Sequence, residues 1–123
     1  MGLSRGMIVL ADLGRHISDS IQGGVRPVVV VSNNRCNRHS SVITVVPLSS
    51  RIYSKKNMPT HVFVNANENE GLDRHSIALC EQVTILPVNK IIDVRYGRLN
   101  DDVMDEITEA VQIQIGVFEE YNM

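Results

Sequence analysis

The chain has 123 residues, of which 43% are hydrophobic, 21% are charged and only 4% are aromatic. This length predicts one domain over residues 1–123, and the apolar content is sufficient for one ordinary core. No apolar run approaches the roughly 20 residues of a membrane-spanning helix, and the first residues lack the apolar stretch of a secretory signal, so we expect a cytoplasmic protein that makes no membrane contact. Cys36 and Cys80 have neither the spacing of a zinc site nor the number of a disulfide framework.

The formal net charge of −2 conceals an uneven distribution. Residues 1–64 contain eight Lys or Arg and two Asp or Glu, a net charge of +6, whereas residues 65–123 contain four and twelve, a net charge of −8. Such asymmetry predicts that one face of the protein meets a polyanion. Much of the acidic half is explained more simply by the solvated face of a helix, but that explanation leaves the basic half unaccounted for.

Short segments rich in β-branched residues predict a series of strands. In chain order they are residues 7–13, 26–32, 42–48, 61–64, 76–83 and, after an ambiguous turn, 91–95. The second segment contains four consecutive valines without polar alternation, which predicts a strand covered on both faces. Polar stretches predict loops at residues 14–24, 49–59 and 65–71, and the pair Asn33-Asn34 predicts a turn.

The last part of the chain has a different pattern. Asn100 is a favourable N-cap residue, and the acidic pair Asp101-Asp102 after it suits the positive end of a helix dipole. Val103, Ile107 and Val111 then recur at helical spacing, which predicts an amphipathic helix over about 101–118. Several strands with one terminal helix indicate a mainly β fold with some α structure, a small β-barrel capped by a helix.

Several motifs of known chemistry do not occur in the sequence. There is no GxxxxGK[ST], no GxGxxG, no HExxH and no group of Asp, Glu or His with metal-ligand spacing. An enzyme with this sequence would therefore work without a metal or cofactor, through positioned charges and hydrogen bonds. The four histidines are candidates for acid–base chemistry, although each one alone is better explained as a surface residue: His16, His39, His61 and His75.

A series of segments together resembles one known family. In order they read RGMIVLADL, QGGVRPVVVVSNN, NRHSSVITVVPLSS, MPTHV, GLDRHSIALCEQV and GRLNDDVMDEITEAVQIQIG. The series is similar to the MazF/PemK toxins in order and spacing, from Arg5 to about Gly116. The segments GGVRPVVVVS and CEQV are its most specific parts.

The resemblance implies a fold, an activity and partners. Members of this family are small SH3-like barrels with a C-terminal helix, and they form homodimers. They are endoribonucleases that cut single-stranded mRNA at short sequences, without the ribosome and without a metal. The 2′-hydroxyl attacks the adjacent phosphate, which leaves 2′,3′-cyclic phosphate and 5′-hydroxyl ends. A cognate antitoxin inhibits the toxin by covering its RNA groove with an acidic tail.

The resemblance also assigns residues. The family's catalytic arginine corresponds to Arg26, and its hydroxyl residue after the third strand corresponds to Ser49. A guanidinium fork suits phosphate oxygens, and Pro27 restricts the backbone beside Arg26. Family positions that contact substrate correspond to Asn33 and Gln82, and further contacts with RNA are predicted for neighbouring glycines, polar residues and loop cations: Gln22, Gly23, Gly24, Arg51, Lys55 and Lys56. The loops over residues 14–22 and 50–58 would form the walls of the groove.

Purely structural explanations remain open for these positions. Arg26 alone could be a surface arginine at a strand end, and Ser49 could be a turn residue. Lys55 and Lys56 could belong to a solvated loop, and Gln82 could be a strand-end glutamine bonded to backbone.

This sequence departs from the family pattern at one important place. Many members have a Glu before the Gln-Gly-Gly segment, a candidate general base, where this chain has Ile21; Asp19 could replace it only after a loop shift. The general base is therefore unassigned. Two other functions remain open: a toxin of the same barrel fold that poisons DNA gyrase without cutting RNA, and a relative that binds RNA or antitoxin without cleavage. The presence of Arg26 with Ser49 favours the ribonuclease.

Overall fold

The structure is a computed structural model that describes residues 2–15, 21–52 and 58–118. The described residues form seven strands and two α-helices, with 3₁₀ turns at Cys80–Gln82 and Val88–Lys90. In chain order the elements are β1 (Met7–Asp12), β2 (Val25–Val30), α1 (Asn34–His39), β3 (Val42–Ser49), β4 (His61–Val64), β5 (Ser76–Leu79), β6 (Thr84–Pro87), β7 (Ile91–Arg98) and α2 (Asp101–Gln114).

All seven strands pair antiparallel in one curled sheet of order β4-β5-β3-β2-β1-β7, with β6 on β3 as well. Strand β3 is the centre of this arrangement. Its first half pairs with β6, its residues 45–47 pair with β2, and its end pairs with β5 through Leu48–Ala78 and Ser49–Ile77. Because one long strand has neighbours that change along its length, the sheet curls toward a barrel, as the sequence predicts.

The valine run of β2 is covered on both faces, which confirms that prediction. Val28 and Val30 belong to a core cluster with Ile43 and Leu86, whereas Val29 belongs to a second cluster with residues of α2. All three valines are fully buried. Alternate side chains of one strand thus stabilise two separate apolar layers, the interior of the curl and the interface with the helix.

Helix α2 forms as predicted at its start and ends earlier than predicted. The Asn100 side chain accepts a hydrogen bond from the Val103 backbone N–H at 2.9 Å. The helix ends at Gln114 because Gly116 has a φ of +83°, and the N–H groups of Gly116 and Val117 bond back to the carbonyls of Ile113 and Gln112. Neither helix of the described residues has the length and apolar character needed to cross a membrane.

Helix α1 replaces the turn expected at Asn33-Asn34. Asn33 accepts a hydrogen bond from the Cys36 N–H at 2.8 Å, so a residue that favours turns acts here as an N-cap. The buried Asn37 then receives the Ser32 hydroxyl at 2.5 Å and donates to the Ser32 carbonyl at 2.9 Å. These bonds fix six residues, five of them polar, as a short helix that composition alone does not indicate.

The strand predicted over residues 76–83 is two strands with a bulge between them. Strand β5 ends at Leu79, residues Cys80–Gln82 form a 3₁₀ turn, and β6, which was not predicted, follows at Thr84. Both strands pair with β3, but in registers that differ by three residues, because Ile77 lies opposite Ser49 while Thr84 lies opposite Val45. The three residues of the turn absorb this offset and leave the plane of the sheet.

Arg5 joins the N-terminal segment to both layers of the molecule. Its guanidinium donates to the Val31 carbonyl and to the Thr108 hydroxyl on α2, and its backbone N–H donates to Asn34 Oδ1 at 2.6 Å. One side chain therefore connects the end of β2 with the helix above it. Arg5 therefore has a structural role.

Candidate active-site groove

Arg26 and Ser49 lie on neighbouring strands at the same end of the sheet. Strands β2 and β3 pair through Val28–Pro47, Val29–Val46 and Val30–Val45. Two residues further along this register lie Arg26 on β2 and Ser49 on β3. Side chains two residues apart on a strand share a face, so both positions belong to the face that carries Val28 and Pro47. Two residues 23 positions apart in the sequence thus share one edge of the curl.

Arg26 is held in place by the turn before it. Its Nε donates to the Gly23 carbonyl at 2.8 Å, which leaves the two terminal nitrogens of the guanidinium for other acceptors. Gly24 has a φ of +71°, a conformation that side chains rarely adopt, and it bonds to Gly14 O at 2.7 Å and to the Leu13 N–H at 2.9 Å. The glycine pair therefore closes the neck of the β1–β2 loop and aims the arginine.

Ser49 occupies a more enclosed place than Arg26. It is only 1% exposed, and its Oγ accepts a hydrogen bond from the Arg51 N–H at 3.3 Å, whereas Arg26 is partly exposed. The hydroxyl therefore shapes the start of the loop that carries the exposed Arg51. Lys55 and Lys56, further along this loop, lie outside the described residues, as do His16 and Asp19.

Gln22 and Gln82 make a contact that links two distant segments. The Gln22 backbone N–H donates to Gln82 Oε1 at 2.7 Å, so the alternative of a glutamine bonded to backbone is realised for this oxygen. Gln22 itself is 8% exposed, and its side-chain Oε1 is buried without a hydrogen-bond partner among the described residues. The β1–β2 loop is thereby tied to the 3₁₀ turn after β5.

A second contact holds that 3₁₀ turn from the opposite side. Glu81 Oε2 lies 2.9 Å from His61 Nε2 on β4, and Glu81 Oε1 receives the Thr60 hydroxyl at 3.4 Å. The Cys80 N–H donates to the Thr60 carbonyl at 2.9 Å. Of the histidines considered from the sequence, His61 thus contacts a carboxylate. This contact holds Glu81, the residue that precedes Gln82. Sequence reasoning missed the contact between Glu81 and His61 because the two residues lie 20 positions apart.

Cys80 is a poor nucleophile although it adjoins the site. Burial raises the pKa of its thiol to about 12, and the negative charge of Glu81 contributes in the same direction. The thiol is therefore protonated at neutral pH. This confirms the expectation that Cys80 belongs to the core.

A groove of about 500 Å³ lies between the β1–β2 loop and the segment from Glu81 to Lys90. Its lining is mostly apolar, with two carboxylates, two glutamines and one lysine: Asp12, Leu13, Gly14, Ile21, Gln22, Pro47, Glu81, Gln82, Val83, Thr84, Ile85, Leu86, Pro87 and Lys90. Lys90 is a groove cation that sequence reasoning missed.

Asn33 lines a different cavity, of about 750 Å³, with residues of α1 and Val111 of α2. The Oδ1 of Asn33 already caps α1. The structure therefore brings Gln22 and Gln82 together in the groove but places Asn33 apart from them. Arg26 is linked to this site through Gly23, and neither Arg26 nor Ser49 is among the described residues that line the groove.

The fold matches solved structures of bacterial toxins. A crystal structure of MazF from Deinococcus radiodurans superposes with a TM-score of 0.78 at 20% identity, covering 94% of this chain and 98% of that one. A mycobacterial endoribonuclease, solved in complex with its cognate antitoxin, superposes with a TM-score of 0.75 at 23% identity, covering 94% and 97%. At such identities the likeness establishes the architecture, a curled β-sheet with a C-terminal helix that MazF toxins share.

Sequence comparison identifies the family itself. The family model for PemK-like, MazF-like toxins of type II toxin–antitoxin systems matches residues 4–115. The endoribonuclease EndoA of Bacillus subtilis strain 168 is 35% identical over 119 residues, which cover 97% of this chain and 99% of EndoA. The endoribonuclease MazF of Staphylococcus saprophyticus is 35% identical over 115 residues, covering 94% and 92%. This chain belongs to the PemK/MazF toxin family.

Proposed function

We propose that this protein is the toxin of a type II toxin–antitoxin system and acts in the cytoplasm as an endoribonuclease on single-stranded mRNA. Its relatives of 35% identity are endoribonucleases, and they match almost their whole length. The observation that carries the proposal is the placement of Arg26 at the end of a buried strand, where it is anchored by Gly23, the residue that follows the groove-lining Gln22. A gyrase poison would have no use for a phosphate-binding arginine in this position.

The reaction forms one bond to phosphorus and breaks another at the same phosphorus. The substrate's 2′-oxygen forms a bond to the adjacent phosphorus as its proton leaves, and the bond from phosphorus to the 5′-oxygen breaks as that oxygen gains a proton. The products are a 2′,3′-cyclic phosphate and a 5′-hydroxyl, and the step is metal-independent. Negative charge accumulates on the phosphate oxygens between these events.

Arg26 stabilises that charge. Because Nε is fixed to Gly23, the terminal guanidinium nitrogens are presented in a constant orientation, and one preorganised donor of this kind contributes about 2.7–4 kcal/mol. Ser49 assists from the neighbouring strand as a hydroxyl donor. The general base remains unassigned, since Ile21 cannot accept a proton.

The RNA follows the face around Arg26. The backbone of Gly23 and Gly24 leaves room for a close approach, and Arg51, Lys55 and Lys56 supply positive charge along the loop for phosphates. Gln22 and Gln82 contact a base of the substrate, since they lie in the groove next to the arginine. Asn33 would contact RNA only outside this groove.

Two protein partners follow from the family. The mycobacterial structure is a complex with its cognate antitoxin, and a Deinococcus radiodurans structure is a complex of MazE with MazF. We propose a cognate antitoxin for this chain too, and a homodimer as the active form. Large apolar side chains that are more than half exposed give both partners a surface: Val25, Ile85, Ile92, Ile115 and Val117.

The test is a cleavage assay with a long unstructured RNA in the presence of EDTA. The wild type should give discrete fragments with cyclic-phosphate ends, and Arg26→Ala should lose them. Arg35→Ala is the matched control, because Arg35 is an exposed arginine of α1 away from the groove. Intact RNA from a folded wild-type dimer would contradict the proposal, and DNA breaks with purified gyrase would then support the alternative toxin.

A further inference from the structure

The groove contains a buried acceptor that the protein itself does not use. Gln22 is 8% exposed, and its Oε1 receives no hydrogen bond from a described residue, although the side chain lines the groove. A buried amide oxygen without a donor is unfavourable, and such atoms are rare in folded proteins. A ligand that brings an N–H donor into the groove would remove this penalty.

The walls of the groove favour a flat apolar ring. Ile21, Ile85 and Pro87 offer exposed apolar surface, Ile85 with 69% exposure, and Pro47 and Val83 also line the groove. A volume of about 500 Å³ lies within the roughly 300–1,000 Å³ typical of small-molecule sites. Unstacked bases of single-stranded RNA are recognised in this manner, by contact with their faces and hydrogen bonds to their edges.

The charges of the groove separate the base from its phosphate. Two carboxylates line it, those of Asp12 and Glu81, against the single ammonium of Lys90. The Asp12 carboxylate accepts a hydrogen bond from the Gly14 N–H at 2.9 Å. Carboxylates repel a phosphate, so a neutral base enters the groove while the backbone stays outside, at Arg26.

The position of Gln22 relative to Arg26 indicates which nucleotide of the RNA carries the bound base. Gln22 directly precedes Gly23, whose carbonyl anchors Arg26 Nε at 2.8 Å. The buried acceptor and the phosphate-binding arginine therefore flank the same glycine. A base held by Gln22 belongs to a nucleotide directly next to the phosphate that Arg26 contacts.

We propose that this groove binds the base of a nucleotide adjacent to the scissile phosphate and selects, through Gln22 Oε1, a base with an exocyclic amino group. Adenine, cytosine and guanine carry such a group, whereas the N3–H donor of uracil is flanked by two carbonyl oxygens that face the acceptor unfavourably. The inference rests on the proposed ribonuclease activity and assigns a specificity-determining residue to it.

The experiment uses the full-length protein and a short RNA that contains one mapped cleavage site. Each flanking nucleoside is replaced by its analogue without the amino group: purine riboside for adenosine, 2-pyrimidinone riboside for cytidine or inosine for guanosine. At one flanking position the loss of the amino group should lower kcat/KM of the wild type about tenfold or more.

Variants then assign the effect to the residue. In Gln22→Leu the natural RNA and its analogue should be cut at rates within about twofold of each other, because the acceptor is gone. Gln114→Leu makes the same exchange on the exposed face of α2 and should retain the full discrimination. Thermal unfolding checks that both variants are folded. If Gln22→Leu does not fold, the loss of kcat/KM that the wild type shows with the analogue still tests whether the amino group is recognised.

The outcomes separate the two proposals. RNA that is cut equally well with and without the amino group at both flanking positions, or cut best with uridine at both, would overturn this inference and leave the ribonuclease intact. Discrimination that survives in folded Gln22→Leu would overturn the role of Gln22. RNA that the wild type does not cut at all would refute the ribonuclease and this inference together.

Discussion

Gly97, in the last strand, lies where no side chain fits. A Cβ on Gly97 would lie 2.2 Å from the carbonyl carbon and oxygen of Glu70 and 2.4 Å from the Gly71 nitrogen. All three are backbone atoms, so no rotamer change can relieve the overlap. Gly71 is fixed in turn, with a φ of +91° and Ile8 of the core within 3.4 Å of its own side-chain position.

Gly97→Ala should therefore strongly destabilise the protein. Overpacking usually lowers the free energy of unfolding by about 1–3 kcal/mol. Because the added Cβ overlaps backbone atoms rather than a movable side chain, we expect a loss of about 3 kcal/mol or more. That is a large part of the roughly 5–15 kcal/mol that holds a domain folded. For a chain of this size it corresponds to a fall in Tm of roughly 10 °C.

The assay is thermal unfolding followed by circular dichroism, supported by urea titration at 25 °C. Gly2→Ala is the matched control, because nothing lies within 4 Å of its added Cβ, and its Tm should be unchanged. A Gly97→Ala protein whose Tm equals that of the wild type would show that the segment over residues 69–71 moves away from β7 at little cost. The reasoning from backbone contact would then be refuted.

Three further results are expected. Arg26→Lys should lower kcat of RNA cleavage about 10²–10³-fold, because the flexible ammonium of lysine replaces the planar guanidinium that Gly23 holds in place. Arg35→Lys should leave kcat unchanged, and both rates are measured with a fluorogenic oligonucleotide. Glu81→Gln should raise KM more than it lowers kcat, because a neutral amide replaces the carboxylate that contacts His61 from the 3₁₀ turn, whereas Arg26 keeps its anchor; equal effects on both parameters would contradict this. Thiol titration of the native protein should count one fast-reacting group, the exposed Cys36, and a second group only after denaturation. Because folding raises the pKa of Cys80 from 9.0 to about 12, the stabilisation that the protonated Cys80 thiol contributes is present below pH 9 and should be lost as the pH rises toward 12. Urea titrations of Cys80→Ala should not show this loss.

The parts of the fold that could be predicted from the sequence are those set by local chemistry. The valines of β2 predict burial on both faces because no polar residue interrupts them, and Asn100 predicts the start of α2 because its side chain satisfies a free N–H. Helix α2 ends four residues before the predicted position because Gly116, a residue type that commonly ends a helix, interrupts the segment predicted to be helical.

The parts that could not be predicted depend on register and distance. Residues 76–83 have a continuous strand pattern, and only the offset between two pairings with β3 turns Cys80–Gln82 out of the sheet. Asn33 favours a turn and a helix cap equally, and the buried Asn37 decides between them. The contact of Gln22 with Gln82 spans 60 residues, so no local signal records it.

The same contact has a consequence for how recognition can diverge. The two walls of the groove belong to separate segments of the chain, and among the described contacts the bond from the Gln22 N–H to Gln82 Oε1 joins them directly. The width of the groove at this point thus depends on the length of one side chain as well as on the barrel. Under the proposed function, a shorter or longer residue at position 82 would change which base the groove accepts without altering a residue of any strand, so the scaffold and the RNA preference could evolve separately.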